Sequence, residues 1–413
     1  MFNKIFKILL ALLPFHVILS VFFQYKVWIP MFSLYKEILL AALFVIWATE
    51  YYKLRKKPEF DKLDYLIFSY FGYMLIISII NLVWIKSIIY WWRYDFEFLL
   101  AFFIVKHSGF LLTDKLSHYL KIVVISSSFA VLIWILVRFV IWESILTYFG
   151  YSSKLSTWTV NEWPPIYHGI EWANFRRFQW IFDWPNQAAF FLVVYIWAIF
   201  HYLKNRKDIQ VYLYFILFVS WWLIFLTWSR SSIIWAFLGL VIIMVLNFWT
   251  IIKKYKLQLA WMLIISLLLW SIFYVRYSWA INEIILRAWS SKWHSERMII
   301  WFEKFKTRPM GYWLSQSWPA YRMTHDVKSI DEKYFIPESW YVQQLVEGWF
   351  IWLILFVSIL GYIFLMIVPV SASISFSFIA VCVMNLVLHT FEASYVSILL
   401  FMIVWLFIKK KAK

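Results

Sequence analysis

Arg230 lies in the turn Thr227-Trp228-Ser229-Arg230-Ser231-Ser232, between two long apolar stretches. A guanidinium at such a boundary has two uses. It can snorkel into lipid headgroups, or it can clamp a phosphate through a rigid fork of donors that never loses its proton. Arg177 stands in a similar place. Arg176-Arg177-Phe178-Gln179-Trp180-Ile181-Phe182-Asp183-Trp184-Pro185-Asn186 leads directly into another apolar run, and a basic doublet there also attracts anionic headgroups. His294 and Arg297 are spaced to share one helix face, as a solvated face or as a ligand-binding pair. Glu338 opens Pro337-Glu338-Ser339-Trp340-Tyr341-Val342-Gln343-Gln344-Leu345-Val346-Glu347-Gly348. A carboxylate suits the positive end of a helix. It would also serve as a general base toward a hydroxyl within hydrogen-bond reach, given a tuned pKa. Arg322 and Glu347 complete the substrate-binding candidates.

Other chemistries lack their residues. There is no glycine-rich phosphate loop, no His-Glu-x-x-His and no paired cysteine ligands. The one cysteine, Cys382, lies inside an apolar run, which leaves no disulfide framework and no thiolate metal cluster. No metal or cofactor is expected. A net charge of +17 would suit nucleic acid, but the cations are confined to short turns between apolar runs, so no nucleic-acid partner is expected.

The elements that position these residues are membrane helices. The chain is 64% hydrophobic and 15% charged, with a mean hydropathy of +0.73. That marks an all-α polytopic membrane protein. About twelve spans of roughly 17–25 residues are expected, at 5–24, 33–51, 64–85, 88–106, 118–141, 186–203, 210–227, 232–250, 259–276, 348–368, 371–388 and 393–408. The first is too long, and lacks the small-residue site, for a cleaved signal peptide. Lysine clusters such as Lys53/Lys56/Lys57/Lys62, Lys106/Lys115/Lys121, Lys253/Lys254/Lys256 and Lys409/Lys410/Lys411 fall on one side. Positive charge faces the cytoplasm, which places both termini there, in a multi-pass protein of the cytoplasmic (inner) membrane. The fourth span carries Arg93, Asp95 and Glu97, which must face the bundle interior or a wet cavity, since lipid-facing charge is costly.

The chain then divides into 1–141 (five helices), 142–185 (a first long external loop), 186–276 (helices six to nine), 277–347 (a larger external loop acting as a catalytic lid) and 348–413 (three helices and a basic tail). Short helices are expected in both loops. Glu296 to Phe305 reads as an amphipathic helix stopped by Pro309, and 338–347 as a second, feeding the tenth span.

Composition adds one anomaly. The chain has 30 Trp and only 8 Gly, where an average protein of this length would have roughly 29 glycines. Trp228, Trp313, Trp349 and Trp352 occupy turn-like contexts that suit small residues. A membrane-interface belt accounts for Trp91, Trp92 and Trp142, but not for tryptophan in polar turns. Many of these tryptophans are therefore expected to be UGA codons that the source cell reads as glycine.

With glycine at those sites, the motifs resemble the O-antigen ligase and polymerase superfamily. Phe178-Gln179-Trp180 and Asp183-Trp184-Pro185-Asn186 become "QG" and "GPN" elements. Thr227-Trp228-Ser229-Arg230 becomes "TGSR", Pro309 to Pro319 becomes "PMGYGLSQSGP", and Glu347 to Trp352 becomes "EGGFIG". The resemblance covers about 170–360 by motif and the whole chain by span count and loop layout. It implies an inverting, metal-independent glycosyltransferase outside the cytoplasmic membrane. Its donor would be an undecaprenyl-diphosphate-linked glycan and its acceptor a glycan or lipid-glycan. Membrane lipids and other envelope polysaccharide assembly proteins would be its neighbours. Arg230 and Arg297 match the family's arginine motifs and Arg177 a third; such arginines hold the departing diphosphate, where charge develops. The chain departs from the ligases in lacking their His-Asn pair where Glu338-Ser339 stands. That leaves Glu338 as the base, with His294, His325 and Glu347 as alternatives, and favours a polymerase or another branch of the superfamily. A protein O-oligosaccharyltransferase and a lipid-linked glycan flippase are the other readings.

Overall fold

In the computed structural model, the described residues are 1–55, 57–152, 165–166, 168–170, 175–177, 179, 181–182, 184–204, 210–227, 229–234, 260–261, 264–265, 267–268, 271, 274–275, 288–307, 314 and 339–411. They are mostly helical, as an all-α membrane protein requires. Five helical stretches are long and apolar enough to cross a membrane: Phe2–Tyr25, Met31–Lys53, Lys62–Ile80, Leu116–Ile141 and Trp340–Ile367. Shorter apolar helices cover Phe218–Thr227, Ala372–Met384 and Ser394–Lys409.

The first span is two helices, α1 (Phe2–Leu12) and α2 (His16–Tyr25), joined by a 3-10 turn at Leu13–Phe15. Pro14 sits in that turn and supplies no N–H to the ladder. Next come α3 (Tyr35–Lys53) and α4 (Lys62–Ile80). A capping box starts α4: Asp61 accepts from the Leu63 and Asp64 amides, and Asp64 accepts from the Asp61 amide. These contacts satisfy donors that a helix start leaves open.

The expected fourth span is broken. It consists of α5 (Ile85–Trp91), a π-helical turn at Trp92–Phe96, and α6 (Glu97–His107). Then follow α7 (Leu116–Leu136) and, in the first loop, a 3-10 helix at Glu143–Phe149. That loop also holds a small antiparallel hairpin of β1 (His168–Ile170) and β2 (Phe175–Arg177), where only short helices were expected. Helices α8 (Pro185–Lys204) and α9 (Gln210–Thr227) come next, then α10 (Ala288–Thr307) in the second loop. The last three are α11 (Trp340–Ile367), α12 (Ala372–Met384) and α13 (Ser394–Lys411). The short helix expected at 338–347 is continuous with the tenth span, interrupted only at Trp349.

Helix α13 is the centre of the bundle. Its residues from Val396 to Val404 are buried throughout, as an all-round apolar helix should be, and it packs along α6. Around it, α11 lies on α4, α8 on α9 and α7, and α1 on α3 and α7. Exposed apolar residues line the outer faces, such as Ile38 and Val45 on α3, Ile125 and Phe129 on α7, and Ile354 and Val357 on α11. Lipid, not water, is the solvent such faces suit.

Polar contacts tie the two ends of the bundle. At the lysine-rich end, Lys106 bridges Asp61 at 2.6 Å and Asp64 at 2.7 Å, while His107 meets Asp64 at 2.9 Å. Lys409 donates to the Leu112 carbonyl at 3.1 Å. Asp114 pairs with Lys7 and accepts from Asn3 at 3.0 Å. At the opposite end, Lys36 bridges Glu97 and, at 2.8 Å, Glu37, while Arg93 binds Glu37 at 2.7 Å. Two cations and two carboxylates thus form a buried quartet that joins α3 to the α5–α6 break.

Two outcomes follow. Lys36→Ala leaves buried Glu97 without its cation, while Glu37 keeps Arg93, and should cost about 3–5 kcal/mol, read as lost thermal stability in lipid nanodiscs. Lys36→Arg should keep most of it, and an unchanged melt for Lys36→Ala would refute the quartet's weight. The bonds from Lys7 and Asn3 hold the Asp114 carboxyl below its ordinary value of 3.8. That stability is present above the ordinary carboxylate range and is lost as pH falls through the lowered value. Acid should therefore raise protease cleavage at the 112–115 turn, and Asp114→Asn should remove that acid response.

Candidate functional site

Arg177 is the joint of the end opposite the lysine-rich turns. Pairing of β2 with β1 places it across from His168. Its Nε donates to the Thr227 carbonyl at 3.1 Å and its Nη2 to Asn186 Oδ1 at 3.2 Å. Three segments meet there: the hairpin, the first turn of α8, and the last residue of α9. One guanidinium can hold both acceptors because its donors are fixed in a plane.

The turn after α9 is built to be rigid. Thr227 Oγ1 donates to the Ile224 carbonyl at 2.7 Å, and the Ser229 amide donates to Thr227 Oγ1 at 3.2 Å. The Ser229 and Ser232 hydroxyls lie 2.9 Å apart. Arg230 stands between these buried serines, half-buried itself, and that burial lowers its pKa from the usual guanidinium value. A guanidinium stays charged regardless, so partial desolvation strengthens its attraction for an anion.

Arg297 lies on α10, on the stripe that continues through Trp301 and Phe305, and all of these are buried. Trp301 and Phe305 pack on Val342, Leu345 and Val346 of α11, and the Phe305 ring meets Phe350 at 5.2 Å. Arg297 therefore faces inward, where the sequence also allowed a solvated face. Lys304, over the Trp301 ring at 4.7 Å, has its pKa lowered by burial.

The first turns of α11 carry a buried polar face. Ser339 caps the helix by accepting from the Val342 amide. The Trp340 amide donates to the carbonyls of Asn385 and Leu388 at 3.0 and 3.2 Å. Gln343 donates to Asp95 at 3.3 Å, and Tyr70 donates to Gln344 at 2.7 Å. Glu347 is fully buried on the same helix. Asp95 Oδ2, Gln343 Oε1 and Gln344 Nε2 have no hydrogen-bond partner among the described residues. This face connects back to the Arg230 turn, because Ser232 reaches Met384 at 4.0 Å, next to Asn385.

Of the sequence candidates, Arg177 bonds Thr227 at the head of the turn that carries Arg230, and Arg297 and Glu347 are buried on helices that pack together. Glu338, Arg322 and His325 lie outside the described residues, as does the His294 side chain, whose backbone is in α10. Sequence reasoning missed Tyr70, Gln343, Gln344 and Asn385. A Gln-Gln pair within the first turns of an otherwise apolar helix was the available signal.

No protein-family model, curated protein or solved structure matches the chain.

Arg177→Ala removes two charge-assisted hydrogen bonds, each worth about 1.5–3 kcal/mol. Limited proteolysis should then cut the hairpin segment before the bundle. Arg177→Lys should fail to restore protection, since an ammonium cannot span both acceptors.

Proposed function

We propose that the chain is a membrane glycosyltransferase that polymerises or ligates undecaprenyl-diphosphate-linked oligosaccharides at the outer face of the cytoplasmic membrane. The observation that carries this reading is the Arg177 junction. Arg177, one of the arginines to which the resemblance gives the diphosphate, bonds Asn186 of the "GPN" element and Thr227 of the "TGSR" element, 50 residues away. The reading takes in the twelve-span layout, with both termini cytoplasmic and 277–347 as the external lid.

In this mechanism an acceptor hydroxyl attacks the anomeric carbon of the donor from the face opposite the diphosphate. The new glycosidic C–O bond forms as the bond to the diphosphate breaks, and the configuration inverts. The acceptor proton passes to Glu338. Arg230 and Arg297, with Arg177 behind them, hold the diphosphate as it gains charge. Fixed cations aimed at a developing anion need no reorganisation at the moment of reaction.

A lipid-linked glycan flippase is the second reading, favoured by one observation. Buried charges at a broken helix, here Asp95 and Glu97 beside the π-helical turn, are a transporter feature.

Arg230→Ala and Arg297→Ala should each abolish glycan chain extension while the protein stays in the membrane at normal abundance. Full-length polymer from both variants would overturn the diphosphate clamp. Purified protein given lipid-linked repeat units alone should make longer lipid-linked chains. Transfer only to an added glycan acceptor means ligase, transfer to a protein hydroxyl means oligosaccharyltransferase, and translocation with no new bond supports the flippase.

A further inference from the structure

Residue 349 holds a backbone that suits glycine alone. Trp349 interrupts α11 at φ 67° and ψ −179°, a region essentially closed to residues with a Cβ. Trp142, before the 3-10 helix of the first loop, has φ 81° and ψ 139°, which is also unsuited to a bulky side chain. Trp28 has φ 60°. Among the described residues, the non-glycine positions with positive φ are Trp28, Arg55, Leu82, Trp142 and Trp349. Tryptophan is 30 of 413 residues, so chance would place fewer than one in that set.

The packing around Trp352 points the same way. A Cβ added at Gly348 would come within 1.9 Å of the Trp352 ring, so the indole lies directly against the α11 backbone. Trp352 is fully buried, and its Nε1 has no acceptor among the described residues. An interfacial belt suits the Trp142 ring, as its place in the sequence suggested, but not the Trp142 backbone; Trp352 is in the core, and Trp349 is defined by its backbone.

We infer that positions 142, 349 and 352 are glycine in the protein the source cell makes, through UGA codons read there as glycine. With glycine, residue 349 takes its φ and ψ without strain. Loss of the Trp352 indole frees the space between Gly348 and the rings of Tyr70 and Trp91, now 5.1 and 5.9 Å from the indole. Tyr70 donates to Gln344, whose amide nitrogen lacks an acceptor. The freed space is therefore a cavity with a polar wall, beside the buried face that carries Gln344 and Glu347. The inference stands on backbone and packing, whatever reaction the protein performs.

The codons are read first. UGA at 142, 349 and 352 is expected, and UGG at 349 overturns the inference. Mass spectrometry of peptides from the protein isolated from its own cells then reads the residues. Glycine at all three is expected, and tryptophan at 349 overturns the inference whatever the codon. Expression of two recoded genes gives an independent reading. The chain with W142G and W349G, which relaxes two backbones without emptying the core, should insert, survive detergent extraction and melt several degrees above the chain as written. An equal or lower melting temperature for the glycine version counts against the assignment.

Discussion

A bundle surrounded by lipid cannot leave charge alone, and the Lys36, Glu37, Arg93 and Glu97 quartet is how this one obeys that rule. An unpaired ion at low dielectric costs several kcal/mol, whereas two cations and two carboxylates in mutual contact are neutral as a group. Once the quartet is made, α3 is fixed to the break between α5 and α6. That break turns Asp95 toward Gln343, and so sets where the first turns of α11 sit. The polar face of α11, its link to Asn385, and the Arg230 turn beyond Met384 follow in sequence.

The buried face and the arginine junction divide the labour. The junction is charged and partly open, which suits an anionic group arriving from outside the bundle. The face behind it is amide, phenol and carboxyl, packed against aromatic rings. Arg297 comes from a loop helix, so the arginines reach the same end of the molecule from separate parts of the chain.

Much of the architecture was legible in the sequence. Long apolar runs mark α1 to α4, α7 and α11, because hydrophobic length is the one requirement that a membrane imposes on every span. Glu296 to Phe305 announces α10 as an amphipathic run stopped by Pro309. The partnership of Lys36 with Glu97 was not legible, since nothing local marks a pair 61 residues apart. The π-helical turn is five residues long, too short to disturb a hydropathy window. The β1–β2 hairpin has strands of three residues, too few for alternation to register. The site was half-legible: Arg177 and Arg230 stood out as cations at apolar boundaries, while the glutamines of α11 looked like ordinary helix formers. The roles given to Glu338 and Arg322 rest on sequence alone.

The quartet also bears on biogenesis. Helix α3 leaves the ribosome well before Glu97 is synthesised, and until then Lys36 has only its neighbour Glu37 as counter-ion. Nor can the α5–α6 segment shed Arg93 and Glu97 into lipid by itself. Lys36 stands in the first turn of α3, so its ammonium can stay in water at the membrane surface until α6 packs against α3 and the quartet closes.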